Sequence, residues 1–356
     1  MKDKDTTQHT YVIGVLIGWQ IESELLVACA LAAASHKAEL FYFYPSGVDE
    51  QRQMIRGRTM RDGEWVKDEF PYPDVIYDRM RRRGLKGYED VYRQLEHIPL
   101  THSLRGRSIR KLMTYRLLKK DEQLRKYLIP FMTLRNAETA LEFMIQHQQT
   151  ILKSDSGASA RGIYTVEYRD DVFEVSDQKY IHRLTRDKMA ELIEFLIPQR
   201  YCLQKLVRSV TPQGFPFHIR VHMSKDGKGR WIVAFCSTSI SMQPERKVTN
   251  SEHTFRVIPM WKTFLKHHLG EEPGGELDRR IETYGIQLAK YMQQQLGDGF
   301  HEIGLDIGLD EQNRICLFEA GIGLPSTIFH YVEMVRPAIA YSLLLARRHR
   351  EEEQEQ

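Results

Sequence analysis

The chain has 356 residues, 42% of them hydrophobic, with 51 Lys and Arg against 48 Asp and Glu. At about 100–200 residues per domain that length implies two or three domains, and the composition excludes a wholly disordered chain and a coiled coil. A formal net charge of +3 gives no electrostatic case for a nucleic-acid partner. The longest apolar run, residues 25–34, falls far short of the roughly 20 residues a bilayer span needs, so no membrane partner is expected. The N-terminus shows no signal-peptide pattern, and Cys29, Cys202, Cys236 and Cys316 lie scattered without CxxC pairs. A cytoplasmic location with reduced thiols is therefore expected over disulfides.

Residues 11–17 are short, apolar and partly β-branched, residues 23–36 are rich in Ala and Leu, and residues 39–44 are aromatic. This strand–helix–strand unit predicts a parallel sheet. Gly14 and Gly18 are read as turn glycines, because neither GxGxxG nor GxxxxGK[ST] occurs in the chain. Pro71 and Pro73 introduce another short strand over 74–79, which runs into a basic stretch, 79–86, with Arg81, Arg82 and Arg83 at its centre. A solvated face is the simpler reading of that stretch and an anion site the alternative. Residues 108–148 show helical spacing, with Pro130 as a break. Strands are expected over 150–153, 162–168, 172–175 and 201–207, and a helix over 187–196. Strands over 218–223 and 231–237 flank a turn at Gly227 and Gly229. A long helix over 277–296, a second hairpin from 301–309 and 314–319, and a closing helix over 337–348 complete the chain before an acidic tail.

The second hairpin is the most informative segment. A four-residue loop over 310–313 would set Asp306 opposite Leu317 and Gly304 opposite Glu319. Asp306 and Glu319 would then share one face as diagonal neighbours, about 7–8 Å apart at the backbone. Two carboxylates at that spacing can converge on one or two divalent cations; the alternative is that both point to solvent. Lys153 ends an apolar strand and is followed by a small-residue loop containing Ser156, Gly157, Ser159, Arg161 and Gly162. Such a loop can gather an ammonium and backbone N–H groups around phosphates, or be an ordinary surface hairpin. Gln204, Lys205 and Leu206 lie in an extended segment that can offer backbone groups to a base edge. His218, Arg220 and His222 share one strand face; with Arg220 in the middle, a phosphate ligand is favoured over a zinc site.

In this order the pieces resemble the ATP-grasp superfamily, and within it the endospore coat-associated YheC/YheD-type family. The segments that carry the resemblance are 73–79, 111–115, 127–130, 151–153, 161–163, 203–205, 217–221, 231–233 and 304–319. The fold class it implies is α/β (α+β), an ATP-grasp fold of two α+β lobes preceded by an N-terminal α/β domain. That pre-ATP-grasp-like domain would span 1–105, the N-terminal lobe with its phosphate loop 106–206, the C-terminal lobe with its metal hairpin 207–348, and the acidic tail 349–356. The resemblance implies that Lys111 and Lys153 contact ATP phosphates while the loop with Ser156, Gly157, Ser159, Arg161 and Gly162 closes over them. It implies that Gln204, Lys205 and Leu206 hold the adenine, that Arg220 meets the γ-phosphate or an acyl phosphate as the catalytic residue, and that Asp306 and Glu319 bind Mg²⁺. The implied partners are ATP, an unidentified carboxylate substrate and spore coat proteins, with a spore-coat location as an alternative to a cytoplasmic one.

Two functions stay open: ATP-dependent joining of a carboxylate to an amine or thiol through an acyl phosphate, or a degenerate ATP-grasp fold acting as a structural or binding module of the spore coat. The chain departs from the family pattern at Ser154, where a proline usually follows the lysine, and at Ala160-Arg161-Gly162, where Gly-Lys-Gly is usual. It departs again at His218, usually Asp, and at Gly321, usually Asn. Gly321 removes one side-chain oxygen from the expected Mg²⁺ ligands.

Overall fold

Three sheets account for the described strands, one for each third of the chain. The computed structural model describes residues 9–18, 23–80, 89–103, 109–155, 162–177, 179–245, 247–249, 255–323 and 329–355. The first sheet contains β1 (Val12–Leu16), β2 (Glu39–Asp49), β3 (Met54–Arg61), β4 (Glu64–Pro71) and β5 (Val75–Asp78), in the order β4-β3-β2-β1-β5. β1 runs parallel to β2 and to β5. Its link to β2 carries α1 (Ser23–Ser35), the crossover that a parallel pair needs. The hairpin β3–β4 is an antiparallel addition to the expected sheet. Its sequence signal is Asp62-Gly63, both at positive φ, a two-residue turn that suits strand twist. α2 (Glu89–Gln94) then buries Val91 and Tyr92 against the face of this sheet that carries Leu16, Phe41, Phe43 and Ile76.

The expected helical stretch over 108–148 is interrupted. It holds α3 (Lys111–Leu118), a 3₁₀ turn (Arg125–Tyr127), β6 (Phe131–Thr133) and α4 (Ala137–His147). Asn136 caps α4 by accepting from the Thr139 N–H at 2.9 Å, which satisfies one of the helix's free donors. The second sheet follows with β7 (Gln149–Ser154), β8 (Tyr164–Arg169), β9 (Val172–Ser176), β10 (Ile181–Leu184) and, after α5 (Arg186–Leu196), β11 (Tyr201–Lys205). Its order is β10-β9-β8-β7-β11-β6 and every pairing is antiparallel. α4 and α5 cover one face through Ala140, Leu141, Met144, Met189 and Ile193.

The third sheet contains β12 (Phe217–Lys225), β13 (Trp231–Ser241), β14 (Arg256–Val257), β15 (Glu302–Leu309) and β16 (Ile315–Ile322), in the order β14-β13-β12-β15-β16. Between β14 and β15 lie α6 (Trp261–Leu269) and α7 (Glu271–Leu296). α7 starts six residues before the expected helix, with Glu271 and Glu272 in its first turn where the helix dipole favours acids. The last helix, α8 (Tyr331–Glu355), begins upstream of Pro337 and continues through the acidic segment, so residues 349–355 extend the helix instead of trailing from it. α8 packs on α1 through Met334, Val335, Ala338 and Ile339.

Alternation along β12 and β15 divides their side chains between two faces. Ile219, Val221, Ile303, Leu305 and Ile307 enter one core with Ile281, Tyr284 and Leu288 of α7 and with Tyr115 and Leu118 of α3. The even-numbered residues take the opposite face. There Glu302, fully buried, accepts from Arg79 Nη1 at 2.8 Å and from the Tyr77 hydroxyl at 3.3 Å. This ion pair ties the N-terminal sheet to β15, and it corrects the reading of the basic stretch at its first residue: Arg79 is buried, not on a solvated face. Residues 81–88, the rest of that stretch, lie outside the described residues.

His222 lies beside this pair, fully buried and stacked on Phe235 at 5.0 Å, with its Nε2 3.9 Å from Glu302. Burial lowers its pKa to about 4, outweighing the attraction of Glu302. Burial alone would raise the Glu302 carboxyl, but Arg79, His301 and His222 together hold it at about 2. Unfolding lets His222 take up a proton near its usual pKa of about 6.5. The unfolded chain therefore binds more protons between pH 6.5 and 4, and stability falls as pH falls through that window, by about 1.4 kcal/mol per unit for this one group. Chemical denaturation from pH 7 to 4 should give a slope shallower by that amount in His222→Phe, which keeps the stacking; identical slopes would remove His222 from the pH response.

Candidate functional site

Arg220, Asp306 and Glu319 stand in one row across three neighbouring strands. Arg220 of β12 pairs with Asp306 of β15, and Asp306 pairs with Glu319 of β16. The two carboxylates are directly opposite each other, which corrects the expected diagonal arrangement. Two one-residue shifts produce it, a connection over 310–314 one residue longer than expected and a β-bulge. Asp306 pairs with Glu319 but Ile307 pairs with Leu317, so Phe318 is the extra residue, and Leu309 faces Ile315 instead of Arg314. The bulge frees the Phe318 carbonyl from the ladder, and the Phe318 ring lies over Gly308, where any Cβ would collide with it.

The freed carbonyl organises the floor of the site. It accepts from Lys153 Nζ at 2.8 Å and from the Tyr115 hydroxyl at 3.1 Å. Lys153 also donates to Gln204 Oε1 at 2.7 Å, and Gln204 Nε2 donates to the Tyr115 oxygen at 2.6 Å. The Tyr115 hydroxyl also donates to the Leu317 carbonyl. Lys153, Gln204 and Tyr115 come from the end of β7, from β11 and from α3, and all are buried. Burial lowers the Lys153 pKa, opposed by Cys202 and Glu319, and burial raises that of Tyr115.

Lys111, the first residue of α3, reaches Glu319 with Nζ 2.9 Å from Oε2. The α3 N-terminus is docked on the end of β7: the Leu112 N–H donates to the buried Asp155 Oδ1 at 2.9 Å. Arg220 Nε lies 3.2 Å from Asp306 Oδ1, yet that oxygen is buried and makes no hydrogen bond among the described residues. An orphaned carboxylate oxygen next to a second carboxylate fits a divalent cation. No group of three or more His, Cys, Asp and Glu gathers among the described residues, so the protein supplies two carboxylates here and leaves other positions to water or ligand. Gly321, opposite Gly304, contributes no side chain.

Of the other expected site residues, Ser156, Gly157, Ser159 and Arg161 lie outside the described residues. Gly162 is described and has φ +67, a conformation that glycine adopts at little cost, and a Cβ there would meet the Tyr201 hydroxyl at 2.5 Å. Gln204 is committed through its side chain on both sides, and the backbone N–H groups of Lys205 and Leu206 donate to Pro130 and Gln149 carbonyls, each at 2.9 Å. Those donors are therefore used within the fold, and carbonyl groups are what the segment has left to offer a base. His218 is half-buried, and loss of solvent lowers its pKa; its Nδ1 bonds the Thr249 hydroxyl. Two residues earlier, Lys247 pairs with Glu167 of β8, so residues 247–249 reach from the third sheet to the second. Sequence reasoning named neither Tyr115, Asp155 nor the Phe318 carbonyl as site groups. Tyr115 had a signal, in the segment 111–115; the bulge had none.

The family described as YheC/D like ATP-grasp matches residues 101–346. The chain belongs to that family. Endospore coat-associated protein YheD of Bacillus subtilis (strain 168) is 22% identical over 301 residues. The match covers 82% of this chain and 65% of YheD, so the chain spans about two thirds of that relative's length. Among solved structures, the D-alanine-D-alanine ligase from Coxiella burnetii superposes with a TM-score of 0.53 at 12% identity, covering 97% of this chain and 98% of the other. The ATP-grasp ligase PsnB complexed with minimal precursor gives 0.53 at 14%, covering 96% and 99%. D-alanyl-alanine synthetase A from Vibrio cholerae O1 biovar eltor str. N16961 gives 0.52 at 16%, covering 96% and 98%. These likenesses show the ATP-grasp fold, a mixed α/β architecture, for the whole chain.

On the floor of the candidate site the Tyr115–Gln204–Lys153 network is buried and its members bond one another. Removing one partner should therefore leave the others unsatisfied, at about 1–3 kcal/mol. Gln204→Leu, measured by chemical denaturation, should lose stability in that range, and Tyr115→Phe should do the same. Unchanged stability in both would mean that the network is solvated.

Proposed function

We propose that the cleft between the second and third sheets binds ATP with Mg²⁺ and that the protein is an ATP-dependent ligase acting on a carboxylate. The observation that carries this reading is the row Arg220–Asp306–Glu319, flanked by Lys111 and facing Lys153. Phosphoryl transfer is catalysed mainly by positioning and by charge stabilisation, so a cleft with three cations and two adjacent carboxylates has the groups it needs. When bound, Mg·ATP supplies the γ-phosphoryl group that activates a carboxylate for attack by an amine or thiol.

The chain's own residues would divide the work. Lys153 uses two of its three N–H donors on Gln204 and Phe318, which leaves the third for a phosphate oxygen and fixes the direction of approach. Lys111 would be the second phosphate ligand, on a helix anchored by Asp155. Arg220, with a planar fork of donors, suits the phosphoryl group or the activated carboxylate. Asp306 and Glu319 would hold Mg²⁺ by oxygen ligation, with water at the position left by Gly321. Coat association is the second part of the proposal, supported by the similarity to YheD, an endospore coat-associated protein. The two carboxylates' existing cation partners and the bare Gly321 favour a second reading, nucleotide binding without turnover.

Mg·ATP at about 100 times Kd should raise stability by about 2.7 kcal/mol, read as an increase in Tm. Lys153→Ala should lose most of that increase, and a wild type with no nucleotide-dependent shift at millimolar Mg·ATP would contradict the reading. Gly321 has room for a side chain: a Cβ there would meet nothing nearer than the Gly304 carbonyl, at 3.8 Å. Gly321→Asn should therefore fold normally and lower the Mg²⁺ concentration needed for the ATP shift several-fold. An unchanged Mg²⁺ requirement would place the metal away from β16.

A further inference from the structure

Each of the two carboxylates in the row already has a cation of the chain's own. Lys111 holds Glu319 from α3, and Arg220 holds Asp306 from the adjacent strand. Each carboxylate is thus paired, and Lys153 adds a third cation on the neighbouring Phe318 carbonyl. A divalent cation arriving alone would have to share the carboxylates with Lys111 and Arg220, and like charges in a partly buried cleft repel. Side-chain exposure in these pairs runs from 15% to 35%, so water screens them only in part.

A nucleotide changes the balance, because its phosphate oxygens offer Lys111 and Arg220 other anions to bind. Lys111 can make that exchange by rotating its side chain alone. Its helix stays fixed by the buried Leu112 and Tyr115 and by the bond from Leu112 N–H to Asp155. Once Lys111 turns to a phosphate, Glu319 Oε2 is released beside the orphaned Asp306 Oδ1.

We propose that Lys111 and Arg220 act as internal counter-ions that keep the carboxylate pair closed to free divalent cations, so that metal enters only as the metal–nucleotide complex. This rests on the reading of the cleft as an ATP site and adds an order of events to it. The physiological consequence is selectivity: millimolar free Mg²⁺ would not occupy the site, and nucleotide arrival would be the event that opens it.

The probe is Mn²⁺, followed by the loss of its free-ion electron paramagnetic resonance signal, with and without a non-hydrolysable ATP analogue. Measured against a protein-free control of Mn²⁺ with the analogue, wild type should bind Mn²⁺ alone at least tenfold more weakly than it binds the Mn²⁺–analogue complex. Lys111→Met, tested without nucleotide, should bind Mn²⁺ about tenfold more tightly than wild type. Lys119→Met removes a charge from the end of the same helix without breaking the pair and should leave Mn²⁺ binding unchanged. Arg220→Met should also tighten binding, and it supplies the answer if Lys111→Met fails to fold. Adding Glu319→Gln to Lys111→Met should abolish the gain. Equal Mn²⁺ affinity in wild type, Lys111→Met and Arg220→Met overturns the proposal, as does an equal gain in Lys119→Met. A wild type that binds no nucleotide would instead sink the ATP reading, and the nucleotide-free comparison would still decide whether these two cations close the carboxylate pair.

Discussion

Two carboxylates on one interior strand constrain much of the rest of the molecule. Glu302 and Asp306 lie four residues apart on the same face of β15, while Ile303, Leu305 and Ile307 point the other way into the core on α7. Burying a carboxylate is costly unless a cation and hydrogen bonds compensate it. For Glu302 the compensation comes from Arg79 and Tyr77 of the N-terminal sheet, which docks that sheet on the third. For Asp306 it comes from Arg220 on the next strand, at only 3.2 Å and without a proper hydrogen bond. The first carboxylate is fully satisfied and structural. The second is left with an unfilled acceptor, and that difference separates the scaffold from the site.

The site itself depends on a single irregularity. Without the bulge at Phe318, Phe318 would sit opposite Asp306, Glu319 would face Leu305 on the other side of the sheet, and the Phe318 carbonyl would remain in the β15–β16 ladder. With it, the two carboxylates face each other and one carbonyl turns to anchor Lys153 and Tyr115 together. Three elements that are far apart in the chain, α3, β7 and β16, are thereby pinned at one point. Tyr115 and Leu118 also bury their side chains in the core beneath the third sheet, so α3 links the two lobes by packing as well as by polar bonds.

Much of the fold was legible in the sequence because it rests on local periodicity. The strand–helix–strand start, the hairpin at Gly227 and Gly229 and the carboxylate hairpin all follow from alternation and turn residues, which act over a few positions. The β3–β4 hairpin escaped because charged residues interrupt its few apolar ones and break the alternation, so the Asp62-Gly63 turn was its one clear mark. The start of α8 escaped because Pro337 reads as a helix start, although the helix accommodates it internally. In the site, Lys153, Arg220, Asp306 and Glu319 are legible from local pattern and Lys111 from the order of motifs. Their pairings are not, since register across β15 and β16 is set by the length of the 310–314 connection together with the bulge, and the Arg79–Glu302 pair joins residues 223 positions apart.

A crystal structure with Mg²⁺ and a non-hydrolysable ATP analogue tests the site most directly. The expected result is metal bound by Asp306 and Glu319, with Lys111 and Lys153 on phosphate oxygens and the Lys111–Glu319 pair broken. Nucleotide bound elsewhere, or nucleotide in the cleft with that pair intact and no metal at the two carboxylates, would contradict it.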